Sequence, residues 1–94
     1  MDNANEQELK EVSRLRLAQV LVAMEKYDDA LSLLGSELPT AYVSLVEELR
    51  GDAFRAKGNF DEARAAYDKA LLTAGGRSEY LQLKRDSLGP AQEN

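Results

Sequence analysis

Apolar residues recur along this chain at spacings of three and four, the periodicity of amphipathic α-helices. No run combines β-branched residues with strict alternation, so the pattern predicts an all-α protein. Five helices are predicted, at residues 6–25, 27–34, 41–57, 60–74 and 79–87. The connector between the second and third helices contains Pro39, which stops a helix, and Thr40, which is expected to cap the next one.

The pattern also predicts which side of each helix is buried. The first helix is expected to bury a stripe with helical spacing, with Leu15 and Val22 widening its apolar arc; the stripe comprises Leu9, Val12, Leu17, Val20, Leu21 and Met24. The last helix is expected to begin after a Ser78 cap and to face Tyr80, Leu81 and Leu83 inward.

Residues 51–72 repeat residues 18–34 at an offset of 33, with small residues matching small residues and large matching large. Ala18 corresponds to Gly51, and Ala30 corresponds to Ala63. Small residues at these positions let paired helices approach closely. A helical pair of this length with this pattern resembles the tetratricopeptide repeat, and the GNFDEARAAYDKAL run of the second unit is close to that family's consensus.

The resemblance implies two tetratricopeptide-like helix-turn-helix repeats and a capping helix, as a fragment of a right-handed α-solenoid. The expected layout is a disordered stretch at residues 1–5 and a domain at residues 6–88, followed by a flexible tail at residues 89–94. Within the domain, the first repeat covers about residues 6–36, the second about 41–74, and the capping helix about 78–88.

One turn position differs between the repeats: Glu25 lies where the second repeat has Gly58. If this position needs a positive φ, Glu25 is strained and glycine is the better residue. The acidic pairs that start the second helices, Asp28-Asp29 and Asp61-Glu62, are expected to cap amide groups and to complement the helix dipole.

Composition excludes several function classes. The chain has no cysteine and no histidine, so thiol catalysis, disulfides, Cys/His zinc sites and histidine acid–base chemistry are excluded. Its net charge of -5 disfavours nucleic acid as a partner. We therefore expect no enzymatic activity, no cofactor, no metal and no direct membrane contact from this chain.

A more specific resemblance covers nearly the whole chain. The runs RLRLAQVLVAMEKYDDALSLL, ELRGDAFRAKGNFDEARAAYDKALL and YLQLKRDSL are similar to the carboxy-terminal part of YfgM-type ancillary subunits of the bacterial Sec translocon. The resemblance implies a periplasmic repeat domain of an inner-membrane protein. It also implies two partners, SecYEG and a membrane-anchored periplasmic chaperone of the prolyl-isomerase type.

First helices of such pairs line the concave face in this fold, so a partner groove is predicted there. Its expected lining residues are Leu15, Gln19, Val22, Glu48, Asp52 and Arg55. Arg55 is the strongest candidate for pairing with a partner's carboxylate, because a guanidinium can bind one bidentately. The same residues could instead form an ordinary solvated helix face, with Arg55 paired to Asp52.

The leading functional hypothesis is a non-catalytic protein-interaction module. Two alternatives stay open. One is a homodimerisation module, since the first helix is apolar on a wide arc and Leu9, Leu15 and Val22 could pair with a second copy. The other is a stand-alone cytosolic tetratricopeptide adaptor.

Overall fold

A computed structural model describes residues 3–35 and 42–88. Five α-helices run through these residues, with a 3-10 turn at Gly75–Arg77 between the last two: α1 (Asn3–Ala23), α2 (Tyr27–Leu34), α3 (Val43–Ala56), α4 (Phe60–Leu72) and α5 (Ser78–Asp86). The described residues contain no strand, so the predicted all-α fold is confirmed. Helix α1 begins three residues before the predicted start, which makes residues 3–5 helical rather than disordered. Pro39, Thr40 and the tail at residues 89–94 lie outside the described residues.

The turns that join α1 to α2 and α3 to α4 are built in the same way. In the second turn, the amide of Asn59 donates to the carbonyl of Phe54 at 2.8 Å, and the amide of Gly58 donates to that of Arg55 at 3.0 Å. This is the Schellman arrangement, which places its C′ residue in the left-handed region. Gly58 accordingly has a φ of 84°. The equivalent residue of the first turn is Glu25.

Glu25 adopts the same conformation without being a glycine. The amide of Lys26 donates to the carbonyl of Leu21 at 2.8 Å, and the amide of Glu25 donates to that of Val22 at 3.0 Å. The φ of Glu25 is 63°, and no other non-glycine residue in the described ranges has a positive φ. The predicted requirement for a positive φ at this position is therefore confirmed.

Close contact between α3 and α4 depends on the absence of a side chain at Gly51. A Cβ atom placed there would lie 2.5 Å from Cε1 of Tyr67, inside the contact distance of two carbons. Tyr67 is fully buried, as is Ala63 on the same helix. Gly51 is thus a packing position, as the repeat pattern predicts, and α3–α4 is the most extensive helix pairing of the described chain.

The buried face of α1 is different from the predicted one. Leu15 and Ala18 are buried, and they form a core between the two repeats with Leu34 of α2 and with Val46 and Leu49 of α3. Of the predicted stripe, Val12 and Leu21 are half-buried, and the other four turn outward: Leu9, Leu17, Val20 and Met24 are all at least half exposed. Because α1 is apolar over a wide arc, its periodicity does not choose between the two sides; contact with α2 and α3 does.

Helix α5 is attached by one apolar residue. Leu81 is fully buried against Ala70 and Ala74, whereas Tyr80 and Leu83 are 50% and 70% exposed, contrary to the prediction that they face inward. The predicted cap is also wrong, because Ser78 is the first residue of the helix and makes no capping hydrogen bond. Such a small apolar contact leaves polar side chains as the other attachment of α5 to the repeat.

The acidic pairs at the starts of α2 and α4 do not cap amide groups. The residues that precede these helices are Lys26 and Asn59, and neither helix has a side-chain capping bond. Asp28 instead forms an ion pair with Lys57 of the neighbouring repeat turn. Both pairs do lie in the first helical turn, where a negative charge complements the dipole, so that part of the expectation agrees with the structure.

Candidate functional site

Five polar side chains from α3, α4, the 3-10 turn and α5 meet in what we call the α3–α5 cluster: Glu48, Asp52, Tyr67, Arg77 and Lys84. Nζ of Lys84 donates to Oε2 of Glu48 at 2.6 Å and to both oxygens of Asp52 at 3.1 Å. Nη2 of Arg77 donates to Oε1 of Glu48. The hydroxyl of Tyr67 donates to Oδ1 of Asp52 at 2.5 Å. Two carboxylates are thus balanced by two cations.

Helical spacing brings this cluster together. Glu48 and Asp52 are four residues apart, so both project from the same side of α3, toward α5. Arg77 lies in the 3-10 turn and Lys84 on α5, so the sharp Gly75–Arg77 turn determines whether both cations reach Glu48. Gly75 has a φ of 58°, which a glycine adopts without strain. The cluster therefore holds α5 against the repeat where apolar contact is small.

The electrostatics of the cluster favour its charged form. Burial alone would raise the pKa of Glu48, but hydrogen bonds from Lys84 and Arg77 outweigh it, and the pKa lies below its usual 4.5. Burial likewise opposes the charge on Lys84, yet the carboxylates of Glu48 and Asp52 raise its pKa above 10.5. Burial and the hydrogen bond to Asp52 raise the pKa of Tyr67 far above 10.0. All three groups hold their usual charge states at neutral pH.

The predicted groove residues of α1 and α3 do not form one open surface. Leu15 belongs to the core, at 7% exposure, with Val22 packed beside it. Glu48 is 8% exposed, and Asp52 is bound to Lys84. The expectation that all of these side chains line an accessible groove therefore does not match their burial. Their part in partner binding stays a prediction.

Gln19 and Arg55 are the two predicted groove residues that stay exposed. Arg55 does not donate to Asp52, the alternative that helical spacing suggested. Its Nη1 donates to Oγ of Ser87 at 3.3 Å, and Ser87 in turn donates to the carbonyl of Lys84 at 2.7 Å. Arg55 thus lies at the solvent edge of the α3–α5 cluster, with its charge uncompensated by that serine.

Three of the cluster residues are not among the site residues predicted from the sequence, namely Tyr67, Arg77 and Lys84. An acidic pair at i and i+4 on a helix needs nearby cations once it is buried, but the sequence does not show that Glu48 is buried. The cations lie 29 and 36 residues from Glu48, so only the tertiary structure, in which α5 packs on α4 and Lys84 reaches across to α3, identifies them. Chemically, the cluster can hold helices together. In the described part of the chain, no three carboxylates are grouped as a metal site would require.

Two helix hairpins of one design, stacked in order and followed by a further helix, define a helical-repeat protein. The chain belongs to the tetratricopeptide repeat-like domain family, whose model matches residues 1–90. The predicted tetratricopeptide resemblance is therefore confirmed. No solved structure matches the chain significantly.

Curated relatives agree with the second resemblance. The chain is 32% identical to the ancillary SecYEG translocon subunit of Escherichia coli, over 92% of the chain and 43% of that relative. It is 33% identical to the protein of the same description from Neisseria gonorrhoeae, over 94% of the chain and 44% of that relative. The subunit from Aggregatibacter actinomycetemcomitans is 36% identical over 86% of the chain and 40% of the relative.

The chain thus spans less than half the length of the curated relatives it matches. Together, family and relatives place it among the non-catalytic adaptors, in which repeat surfaces mediate protein interaction. None of the helices in residues 3–35 and 42–88 is long and apolar enough to cross a membrane.

Proposed function

We propose that this chain is the partner-docking part of a Sec-translocon-associated protein. The observation that carries the proposal is the match of nearly the whole chain to relatives described as ancillary SecYEG translocon subunits. Docking needs a rigid surface, and a repeat held together by buried small residues and by the α3–α5 cluster supplies one. The chain would bind a partner segment or domain rather than act on it.

The proposed docking surface is the side of the repeat where Arg55 and Gln19 are exposed. Arg55 offers a guanidinium that donates to the neutral hydroxyl of Ser87, which leaves its charge available to a carboxylate on the partner. Asp52 and Val22, both half-buried, would contribute at the edge. The surface is shallow and of mixed charge, as expected for a peptide or helix that is recognised by a few polar contacts.

We further propose that the partners are SecYEG and a membrane-anchored periplasmic chaperone of the prolyl-isomerase type, and that docking takes place at the periplasmic face of the bacterial inner membrane. The support is the sequence similarity to translocon subunits. A stand-alone cytosolic adaptor is the competing location. It predicts capture of neither partner.

Co-purification tests the proposal directly. The wild-type chain, immobilised through an affinity tag, is expected to retain detergent-solubilised SecYEG or the chaperone. Arg55→Glu should reduce retention strongly, and Gln19→Ala should reduce it less. Lys69→Glu is the matched control, because it makes the same charge change at an exposed position of α4, away from this surface. Retention of neither partner by the wild type, or equal losses in Arg55→Glu and Lys69→Glu, would contradict the proposal.

A second candidate function, self-association, is favoured by a separate observation. Helix α1 exposes several large apolar side chains on the side that faces away from the core. Proteins rarely leave such a face in water unless it binds something. The sequence-based prediction named Leu9, Leu15 and Val22 for this role, but Leu15 is buried in the core, so the pairing face must be the opposite one.

A further inference from the structure

An uncovered apolar face runs along α1. Four side chains form it, which we call the α1 face, with exposed fractions of 67% for Leu9, 50% for Leu17, 51% for Val20 and 56% for Met24. Ser13, also exposed, fills the gap in the spacing between Leu9 and Leu17. Steps of three and four residues keep all five positions on one side of the helix. The face is therefore continuous along most of α1.

The repeat shows what kind of element fits this face. At the offset of 33, Leu9 corresponds to Tyr42, and Val20 corresponds to Ala53. In the second repeat these positions are covered: Ala53 is fully buried, and Tyr42 packs on the core that α1 and α2 form with α3. At these two positions the α1 face is thus equivalent to a surface that contacts helices elsewhere in the same molecule. Its expected occupant is an α-helix.

The spacing of the face reads nearly the same in both directions. Leu9 and Met24 are equidistant from the midpoint of the face, which lies between positions 16 and 17, and so are Ser13 and Val20. Leu17 lies next to that midpoint. Two copies of α1 laid antiparallel would therefore pair Leu9 with Met24 and Ser13 with Val20, and would bring the two Leu17 side chains together at the two-fold axis. Such self-complementarity is what a two-fold interface requires.

Charges at the ends of the helix agree with this orientation. Glu6 lies near the start of α1 and Lys26 just after its end, and both are exposed. In the antiparallel pair, Glu6 of one copy lies opposite position 27 of the other, next to Lys26, so the two opposite charges are close. A parallel pair would align like charges and like helix dipoles. Both steric and electrostatic patterns select the antiparallel arrangement.

We infer that the α1 face binds the α1 face of a second copy of this chain, as an antiparallel two-fold dimer. This inference rests on the self-association function proposed above and specifies its geometry. Because a single pair of helices buries less than the standard interface of about 800 Å² per partner, the dimer is expected to be weak and concentration-dependent.

The first test measures molar mass by sedimentation equilibrium over a range of concentrations. Wild type is expected to shift from monomer toward dimer, and Val20→Glu should weaken association by at least ~10-fold, because two-fold symmetry buries two charges in one interface. Leu83→Glu is the matched control, since Leu83 is also exposed, at 70%, but lies on α5. Circular dichroism verifies that both variants stay helical. A monomeric wild type, or an equal effect of Leu83→Glu, overturns the inference.

Cysteine cross-linking tests the orientation without background, because the chain has no cysteine of its own. Leu17→Cys should form a disulfide-linked dimer readily. A mixture of Leu9→Cys and Met24→Cys chains should cross-link to each other, while Leu9→Cys alone should not. Positions 9 and 24 are 15 residues apart, or about 22 Å along the helix, far beyond the roughly 7 Å Cα separation that a disulfide spans.

Rapid cross-linking of Leu9→Cys to itself would instead indicate parallel pairing and overturn the antiparallel arrangement. Two variants distinguish this inference from translocon docking, because Arg55→Glu changes the proposed docking surface and Val20→Glu changes the α1 face. If Val20→Glu is monomeric but still retains SecYEG or the chaperone, the dimer stands independently of docking. If wild type is a monomer that retains them, the dimer fails and docking stands.

Discussion

Replacing Glu25 by glycine should stabilise the protein. Glu25 has a φ of 63°, in the left-handed region, where an L-residue with a side chain costs about 1–2 kcal/mol. Glycine removes that cost, but its greater conformational freedom in the unfolded chain lowers the free energy of unfolding by about 0.5–1 kcal/mol. The net expectation for Glu25→Gly is a gain of ~0.5–1 kcal/mol in the free energy of unfolding.

The gain should be visible in urea denaturation followed by far-UV circular dichroism, and as a rise in Tm of about 4–8 °C per kcal/mol for a chain of this size. Glu25→Ala separates backbone strain from loss of the exposed carboxylate, since alanine keeps the strain. Its stability should be close to that of wild type. Lys26→Gly is the positional control, because Lys26 has a φ of -96° and gains no relief. It should lose about 0.5–1 kcal/mol.

Gly58 offers the reverse experiment in the second repeat. Its φ is 84°, and a Cβ added there would meet no atom within 4 Å, so Gly58→Ala changes backbone strain without a clash. We expect it to lose about 0.5–1 kcal/mol. If Glu25→Gly lowered the Tm, or if Gly58→Ala raised it, the assignment of strain to this turn position would be wrong.

Three further predictions concern the helix contacts. Gly51→Ala should cost about 1–3 kcal/mol in urea denaturation, because the added methyl meets the Tyr67 ring; no loss would mean that this contact is looser. Tyr67→Phe should cost about 1.5–3 kcal/mol through its lost hydrogen bond to Asp52. It should also remove part of the stability loss above pH 10, because the raised pKa of Tyr67 keeps the folded phenol protonated while the unfolded one ionises. Unchanged alkaline melting would contradict this. The lowered pKa of Glu48 contributes stability above pH 4.5 that is lost as pH falls through its folded value. Glu48→Gln should therefore flatten the acid limb of the plot of Tm against pH, and should weaken the ion pair by which Lys84 attaches α5. An acid limb as steep as that of wild type would refute it.

Much of the fold could be predicted from local sequence. The 33-residue offset, with Ala18 and Gly51 in equivalent places, identifies the hairpins because close helix contact requires small residues at a fixed spacing. The special turn at Glu25 followed from its match to Gly58, since turn geometry is set by residues within one turn of the helix. The α2 bounds agree with the predicted ones for the same reason.

The candidate site was less predictable. Glu48 and Asp52 were predicted as groove residues open to a partner, and the structure binds both to the cations of the α3–α5 cluster. Their partners lie about one repeat later in sequence, on an element joined by only one buried apolar side chain, Leu81. Periodicity within α3 carries no information about which charges a later helix brings against it, so the burial of Glu48 was not foreseeable.

By itself, therefore, the sequence determined the helices, their pairing into two repeats and the absence of histidine or cysteine chemistry. Tertiary structure alone decided which side of α1 is buried, because an apolar arc that wide offers two faces and only contact with α2 and α3 selects Leu15 over Leu17. It also decided that the acidic residues of α3 hold α5 in place, since ion pairs between helices form only once packing brings distant charges within a few ångströms.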